Sequence, residues 1–236
     1  MNAVIEELCR ADAFSSAGGT GGSTLVQRAS GLCLHQLVVD EKLDRTLEVG
    51  LAHGLSALFI CQAHADRGRG RHIAIDPGQE NAYADSGVNN LERAGLSGFF
   101  ELRREPSARA LPRLLDEGVE LDLAFIDGFH TFDHALVDFF FLDQLVRTGG
   151  YVVFEDVWMP SIRKAANFVR RNRAYELVSL SPPQPVPLRD RVLKTRRRFL
   201  QTPFAFDWPL KLQPTNLAAF PQMRSRRRAW IFHRAF

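Results

Sequence analysis

Asp127 and His130, held three apart in Asp-Gly-Phe-His, and the adjacent pair Glu155-Asp156 are the residues of this 236-residue chain best suited to chemistry. Each group closes a short apolar run, LDLAFI or YVVFE, so each belongs at the end of a strand. If the two strands are neighbours, three carboxylates meet at one edge, and their repulsion calls for a compensating cation. A divalent ion answers that need. Mg2+ takes a few carboxylates together with water and substrate oxygens, and would acidify a substrate hydroxyl there. The other assignment needs no metal: Glu155 or Asp156 caps the following turn, and Asp127 bonds a ligand amine. His130 can take a proton near neutral pH. His134 follows one helical turn later along the same face, but His130 is the one beside the carboxylates.

These side chains need a scaffold, and the stretch Thr46 to Ile60, TLEVGLAHGLSALFI, supplies its first unit. An apolar run ends at Glu48, then Gly50 and Gly54 lead into helix-forming residues, which reads as strand, tight turn and helix. Glycine lets such a turn pass close to a ligand, and the helix start adds free N–H groups. A plain connection between strand and helix is the other reading of the same two glycines. Asp76 closes the next apolar run, 26 residues after Gly50. It is placed to accept hydrogen bonds from two ribose hydroxyls, or it only opens the Asp76-Pro77-Gly78 turn. The turn lacks the third glycine of the dinucleotide fingerprint, which favours a nucleoside without phosphates over a pyrophosphate.

From Thr46 onward strand-like and helix-like segments alternate, the pattern of a parallel sheet covered on both faces. Strands are expected at Thr46–Val49, His72–Ile75, Phe99–Arg103, Leu121–Ile126, Tyr151–Glu155 and Tyr175–Ser179. Helices are expected at His53–Ala65, Gly87–Ala94, Ser107–Asp116, Phe132–Val146 and Ser161–Arg171. With a last strand at Ala229–His233, the fold is a doubly wound α/β domain with a mostly parallel, seven-stranded sheet, its last strand antiparallel. Residues 1–45 form a helical and glycine-rich preface whose GGTGGS is read as a linker ahead of a lid. Residues 46–180 are the core, 181–228 a basic insertion rich in proline and aromatics, and 229–236 the returning strand. The prolines of SPPQPVPLRD exclude regular helix or interior strand there. A detour this long usually serves function or an interface.

Charge is unevenly spread. Residues 189–236 hold twelve Lys and Arg against Asp190 and Asp207, while the rest of the chain is acidic, so the small net charge of +3 conceals a basic tail. Such a tail suits an acidic partner or substrate, or a neighbouring subunit. Cys9, Cys33 and Cys61 form no Cys-x-x-Cys pair and suggest reduced thiols. With no 18-residue apolar run and an acidic N-terminus, a soluble cytoplasmic protein is expected.

Four segments in order, LEVGLAHG, IAIDPG, DLAFIDGFH and GGYVVFEDV, resemble the motifs of class I S-adenosylmethionine-dependent methyltransferases. Within that superfamily, IDGFHTFDH followed by GGYVVFEDVWMPSIRK is most similar to methyltransferase domain family 24. Its relatives include the macrolide-sugar (macrocin) and aminocoumarin-sugar O-methyltransferases. The resemblance covers roughly Thr46 to Ser179. It implies a Rossmann-like fold, S-adenosylmethionine as cofactor, and methyl transfer to a hydroxyl of a small molecule or sugar, with Mg2+ as the assisting metal. It implies further that Glu48 and Gly50 border the methionine half of the cofactor, with Gly54 of the same turn among the cofactor-binding residues, that Asp76 holds its ribose and that Ser107 meets the adenine edge. Asp127 would touch the cofactor and, with Glu155 and Asp156, bind the metal. Two departures stand out. Phe129 replaces the second acid of the Asp-Gly-Asp found in many relatives, which puts His130 forward as base, and Glu155-Asp156 replaces Asp-Asp or Asp-Asn. Two rivals keep the fold: an RNA methyltransferase using the basic tail, and a non-catalytic binding module. The tail is also the expected contact of a homo-oligomer.

Overall fold

The computed structural model describes residues 2–16, 28–157, 159–178 and 218–221. Two helices, α1 (Ala3–Ser16) and α2 (Arg28–Asp40), precede the core, which runs β1 (Arg45–Val49), α3 (Leu55–Asp66), β2 (Arg71–Ile75), α4 (Ser86–Arg93), β3 (Phe100–Arg103), α5 (Ser107–Asp116), β4 (Leu121–Ile126), α6 (Phe132–Leu145), β5 (Val146–Phe154) and α7 (Pro160–Asn172). A short strand, β6 (Ala218–Pro221), completes one sheet in the order β3-β2-β1-β4-β5-β6. The strands β1 to β5 are parallel; β6 runs antiparallel against β5.

Strand alternation sorts the apolar residues into two layers. On one face Leu47, Val49, Ile73, Ala124, Ile126, Val152 and Phe154 pack against α5, α6 and α7. On the other, Leu123, Phe125 and Val153 meet Leu34, Leu37 and Val38 of α2 and Ile60 and Ala63 of α3. Because both faces are covered, β4 is buried at every position, which explains its apolar run from Leu123 to Ile126. Helix α3 is likewise apolar on nearly all sides, since α2 and α4 close over it. Gly31 lets α2 lie on the Phe59 ring, where a Cβ would come within 2.2 Å of a ring carbon.

Among the described residues the sheet has six strands against the expected seven. Tyr175 and Val178 make only isolated bridges, because Tyr175 turns to α6 instead: its hydroxyl donates to Asp143 Oδ1 at 2.9 Å and its ring meets Phe139 edge-on. The expected last strand at 229–236 lies outside the described residues, as do GGTGGS and nearly all of 181–228. Strand β5 begins five residues before Tyr151, at Val146. Gly149, in the left-handed conformation at φ +84°, and Gly150, pressed on the Asp122 carbonyl, form an irregularity within the strand where their types suggest a break. No helix among the described residues is long and apolar enough to cross a membrane.

The order places the switch point of the winding between β1 and β4: the chain steps outward through β2 and β3, then crosses back. Open parallel sheets bind ligands at that crevice, outside the carboxyl ends of the strands.

Candidate functional site

Two backbone hydrogen bonds close the floor of the crevice, Gly50 N to Ile75 O at 2.9 Å and Asp127 N to Val49 O at 3.0 Å. Gly50 adopts φ +93°, and a Cβ there would lie 2.3 Å from the Asp127 carbonyl oxygen. Only glycine fits. Gly54 sits at φ +81° at the start of α3, against the backbone of Gly87 at the start of α4, with 3.0 Å between its would-be Cβ and Gly87 Cα.

Asp76 is the hub of this turn. Its Oδ2 accepts from Leu51 N at 3.0 Å, Ala52 N at 2.9 Å and Gln79 Nε2 at 3.0 Å, and its Oδ1 accepts from Gly78 N at 2.7 Å. The Gly78 bond is the Asp-Pro-Gly turn, and the Leu51 and Ala52 bonds tie β2 to the glycine loop. A carboxylate offers about four lone-pair sites, so a further donor would be received on Oδ1. Tyr83, absent from the sequence expectations, also faces the crevice. Its ring stands edge-on to His53 at 5.3 Å, and burial together with Asp76 and Asp127 pushes its phenol pKa up.

Glu48 lies beneath the turn, not on its surface. Strand alternation points it into the α3-facing layer, fully buried, with Oε1 at 3.5 Å from His72 Nε2. Ser107 opens α5; burial raises the carboxyl of Asp138 on α6 to about 6, with Ser107 opposing. Asp138 was also not expected. Its signal was the stripe Ala135, Asp138, Leu142 and Leu145, helical spacing that puts one acid on a buried face.

The acids at the ends of β4 and β5 group differently from the expected Asp127, Glu155 and Asp156. His130 Nε2 stands 3.3 Å from Asp127 Oδ1 and 3.0 Å from Asp156 Oδ2, and these three offer ligand atoms within 4.8 Å of one another. Glu155 is not in this cluster. It continues the alternation of β5, shares the face of Val153, and buries its carboxyl near Ser30 of α2. Asp156 escapes the alternation because its backbone turns to φ +50°, a region Asp tolerates better than most residues. The loop is pinned to α7 by Ser161, whose hydroxyl donates to the His130 carbonyl at 2.7 Å. His134 turns away from the carboxylates; its Nδ1 lies 2.8 Å from Thr131 Oγ1, and its ring stacks on the largely exposed Phe129 at 5.0 Å.

Electrostatics follow from this grouping. Burial raises Asp127 to about 6, with Asp156 and Glu48 adding repulsion and His130 opposing. Hydrogen bonds to Asp127 and Asp156 raise His130 to about 10, so at neutral pH it is a cation between two carboxylates. Burial raises Glu155 to about 9, helped by Asp127 and Asp156. Two carboxylates and an imidazole fit a divalent ion, but one with more affinity for nitrogen than Mg2+, which prefers oxygen throughout.

Residues 47–157 match the family model described as a methyltransferase domain, Methyltransf_24. The protein named "Probable caffeoyl-CoA O-methyltransferase 2" of Dictyostelium discoideum is 29% identical over 119 residues, 48% of this chain and 47% of that protein. Caffeoyl-CoA O-methyltransferase 2 of Petunia hybrida is 26% identical over 125 residues, 50% of this chain and 48% of its own length. The chain thus spans about half the length of the curated relatives it matches. Among solved structures, the O-methyltransferase TomG of Streptomyces achromogenes, involved in tomaymycin synthesis and in complex with SAM, superposes with a TM-score of 0.64 at 18% identity, covering 95% of this chain and 91% of its own. An O-methyltransferase of Bacillus cereus in complex with SAH superposes at 0.59 and 20% identity, covering 75% and 83%. These structures share its fold.

Proposed function

We propose that this chain, whose residues 47–157 match a methyltransferase-domain family model, is a class I O-methyltransferase that moves the methyl group of S-adenosylmethionine to a hydroxyl of a small molecule or sugar. The observation that carries the reading is the switch-point crevice, in which Gly50 packs on the Asp127 carbonyl and Asp127, His130 and Asp156 stand at the same edge. The names of the relatives and fold neighbours, caffeoyl-CoA O-methyltransferases and O-methyltransferases holding SAM or SAH, point the same way.

In this reading the glycine turn and Asp76 hold the methionine and ribose parts, Ser107 meets the adenine, and the acceptor hydroxyl lies over Asp127. Attack in line forms the new O–CH3 bond and breaks S–CH3, leaving the neutral thioether. The hydroxyl proton must go to a group able to take it. His130, already protonated between its carboxylates, serves better as a fixed positive charge that stabilises the developing alkoxide. Asp127, with its carboxyl raised to about 6, is matched to accept the proton near neutral pH. In place of the His130 proton, with that imidazole neutral, a divalent ion held by Asp127, His130 and Asp156 would supply Lewis-acid activation of the hydroxyl. Glu155, on the opposite face, would not be a ligand.

Calorimetric titration with S-adenosylmethionine and S-adenosylhomocysteine, followed by methyl-transfer assays on sugars, phenols and polyketides, tests the reading. Asp127→Ala is expected to lower turnover by at least ~100-fold, and Asp76→Ala to weaken cofactor binding by ~10-fold or more. No heat of binding with either ligand would end it. A second reading, with RNA as acceptor, is favoured by the basic residues 189–236; a salt-dependent shift of labelled RNA would support it, and no shift at low salt would remove it.

A further inference from the structure

Among the described residues, four of the five large apolar side chains left exposed, Phe129, Phe132, Val137 and Phe140, belong to α6 or to the loop entering it. Scattered apolar residues on a surface are ordinary, whereas a patch on one element marks an interaction site. Helix α6 turns Ala135, Asp138, Phe139, Leu142 and Leu145 inward, so its helical period sets Asp133, Val137, Phe140 and Gln144 along the opposite side. All four are exposed. Two contacts hold this face in shape: the Phe140 ring is braced edge-on by Phe141 at 5.2 Å, and Gln144 Nε2 donates to the Phe140 carbonyl at 3.1 Å.

The face is its own complement. Val137 and Phe140 form an apolar middle, with the Asp133 carboxylate and the Gln144 amide at equal sequence distances beyond them. Turned end for end, it meets itself with Phe140 on Val137 and with Asp133 accepting from the second amide hydrogen of Gln144. We infer that α6 pairs in this antiparallel way with α6 of a second copy of the chain, across a two-fold axis passing between Val137 and Phe140. Such a contact is isologous and closes on itself. Parallel pairing would set Asp133 against Asp133, while the antiparallel one also opposes the helix dipoles. A partner of another sequence has no reason to mirror this order; a copy of the chain does so by symmetry. The exposed parts of Phe129, Phe132 and Phe140 come to roughly 300 Å2 in each protomer, an apolar centre for an interface of about 800 Å2 per partner.

Light scattering of the full chain during gel filtration, over a range of loading concentrations, tests this. Wild type is expected to run as a dimer, and Phe140→Glu to raise the dimer dissociation constant by ~100-fold or more. Leu32→Glu, at the fifth exposed apolar residue and away from α6, should leave it unchanged. Gln144→Glu sets a carboxylate against Asp133 and should weaken association by ~10-fold; adding Asp133→Lys should recover it, since an opposite pair then replaces the like one. That recovery can be read whether or not Phe140→Glu folds. A wild type that stays monomeric at every concentration would overturn the inference and leave the face to the chain's own tail or to a different protein. A dimer that tolerates both Phe140→Glu and Gln144→Glu would overturn it as well and place the interface elsewhere.

Discussion

Glu155 shows how far a residue's neighbours decide its chemistry. Its folded carboxyl titrates at about 9 instead of 4.5, chiefly through burial. A carboxyl with a raised folded pKa keeps its proton in the native state while the unfolded chain loses it. Stability is therefore lost as pH rises from the unfolded value towards 9. Glu155→Gln has no proton to lose, so its stability advantage over wild type should grow by ~1.4 kcal/mol per pH unit between pH 5 and 8. Urea unfolding of both proteins across that range measures it, and parallel curves would show that Glu155 is ionised in the fold. Asp127, His130 and Asp156 were each legible from residue type and position at a strand end. Their grouping was not, because it depends on the positive φ of Asp156, which no residue type announces. Glu155 was misplaced because adjacency in sequence suggested shared chemistry, whereas alternation along a strand sends neighbours to opposite faces.

The turn between β1 and α3 owes its shape to two separable constraints at Gly50, a left-handed backbone and a steric one from Asp127. Gly95 offers a control, for it has φ +70° and nothing within 4 Å of a would-be Cβ. Gly95→Ala should cost ~1 kcal/mol, the backbone term alone. Gly50→Ala should cost ~3 kcal/mol or more, because two strand ends must also part. Equal losses in denaturant midpoint would show that β4 yields to the added methyl. The elements themselves were legible wherever period and punctuation agreed: α5 falls on the expected Ser107–Asp116 and β4 on Leu121–Ile126. Tyr175 defeated the pattern because an aromatic residue in a strand-like run can equally anchor on a helix, and Asp143 of α6 supplied the partner.

For the whole molecule, the alternation of strands and helices foretold a doubly wound sheet, and the order of β1 and β4 put the crevice where the polar strand ends had pointed. The number of strands was harder to read, since an edge strand needs few residues; β6 is four residues long and lies within the segment expected to be an insertion. Size and charge located a basic tail but could not say which strand it returns to. One arrangement at the crevice reaches beyond ligand contacts. The Asp76 carboxylate bonds the amides of Leu51, Ala52 and Gly78, and Gly54 rests on Gly87, so two loops from different strands cannot open separately. They form one cooperative unit of local unfolding. Amide hydrogen exchange at Leu51, Ala52 and Gly78 should then report a single opening free energy, and Asp76→Ala should accelerate all three together. Cofactor capture in this protein would thus be gated by one motion shared by both walls.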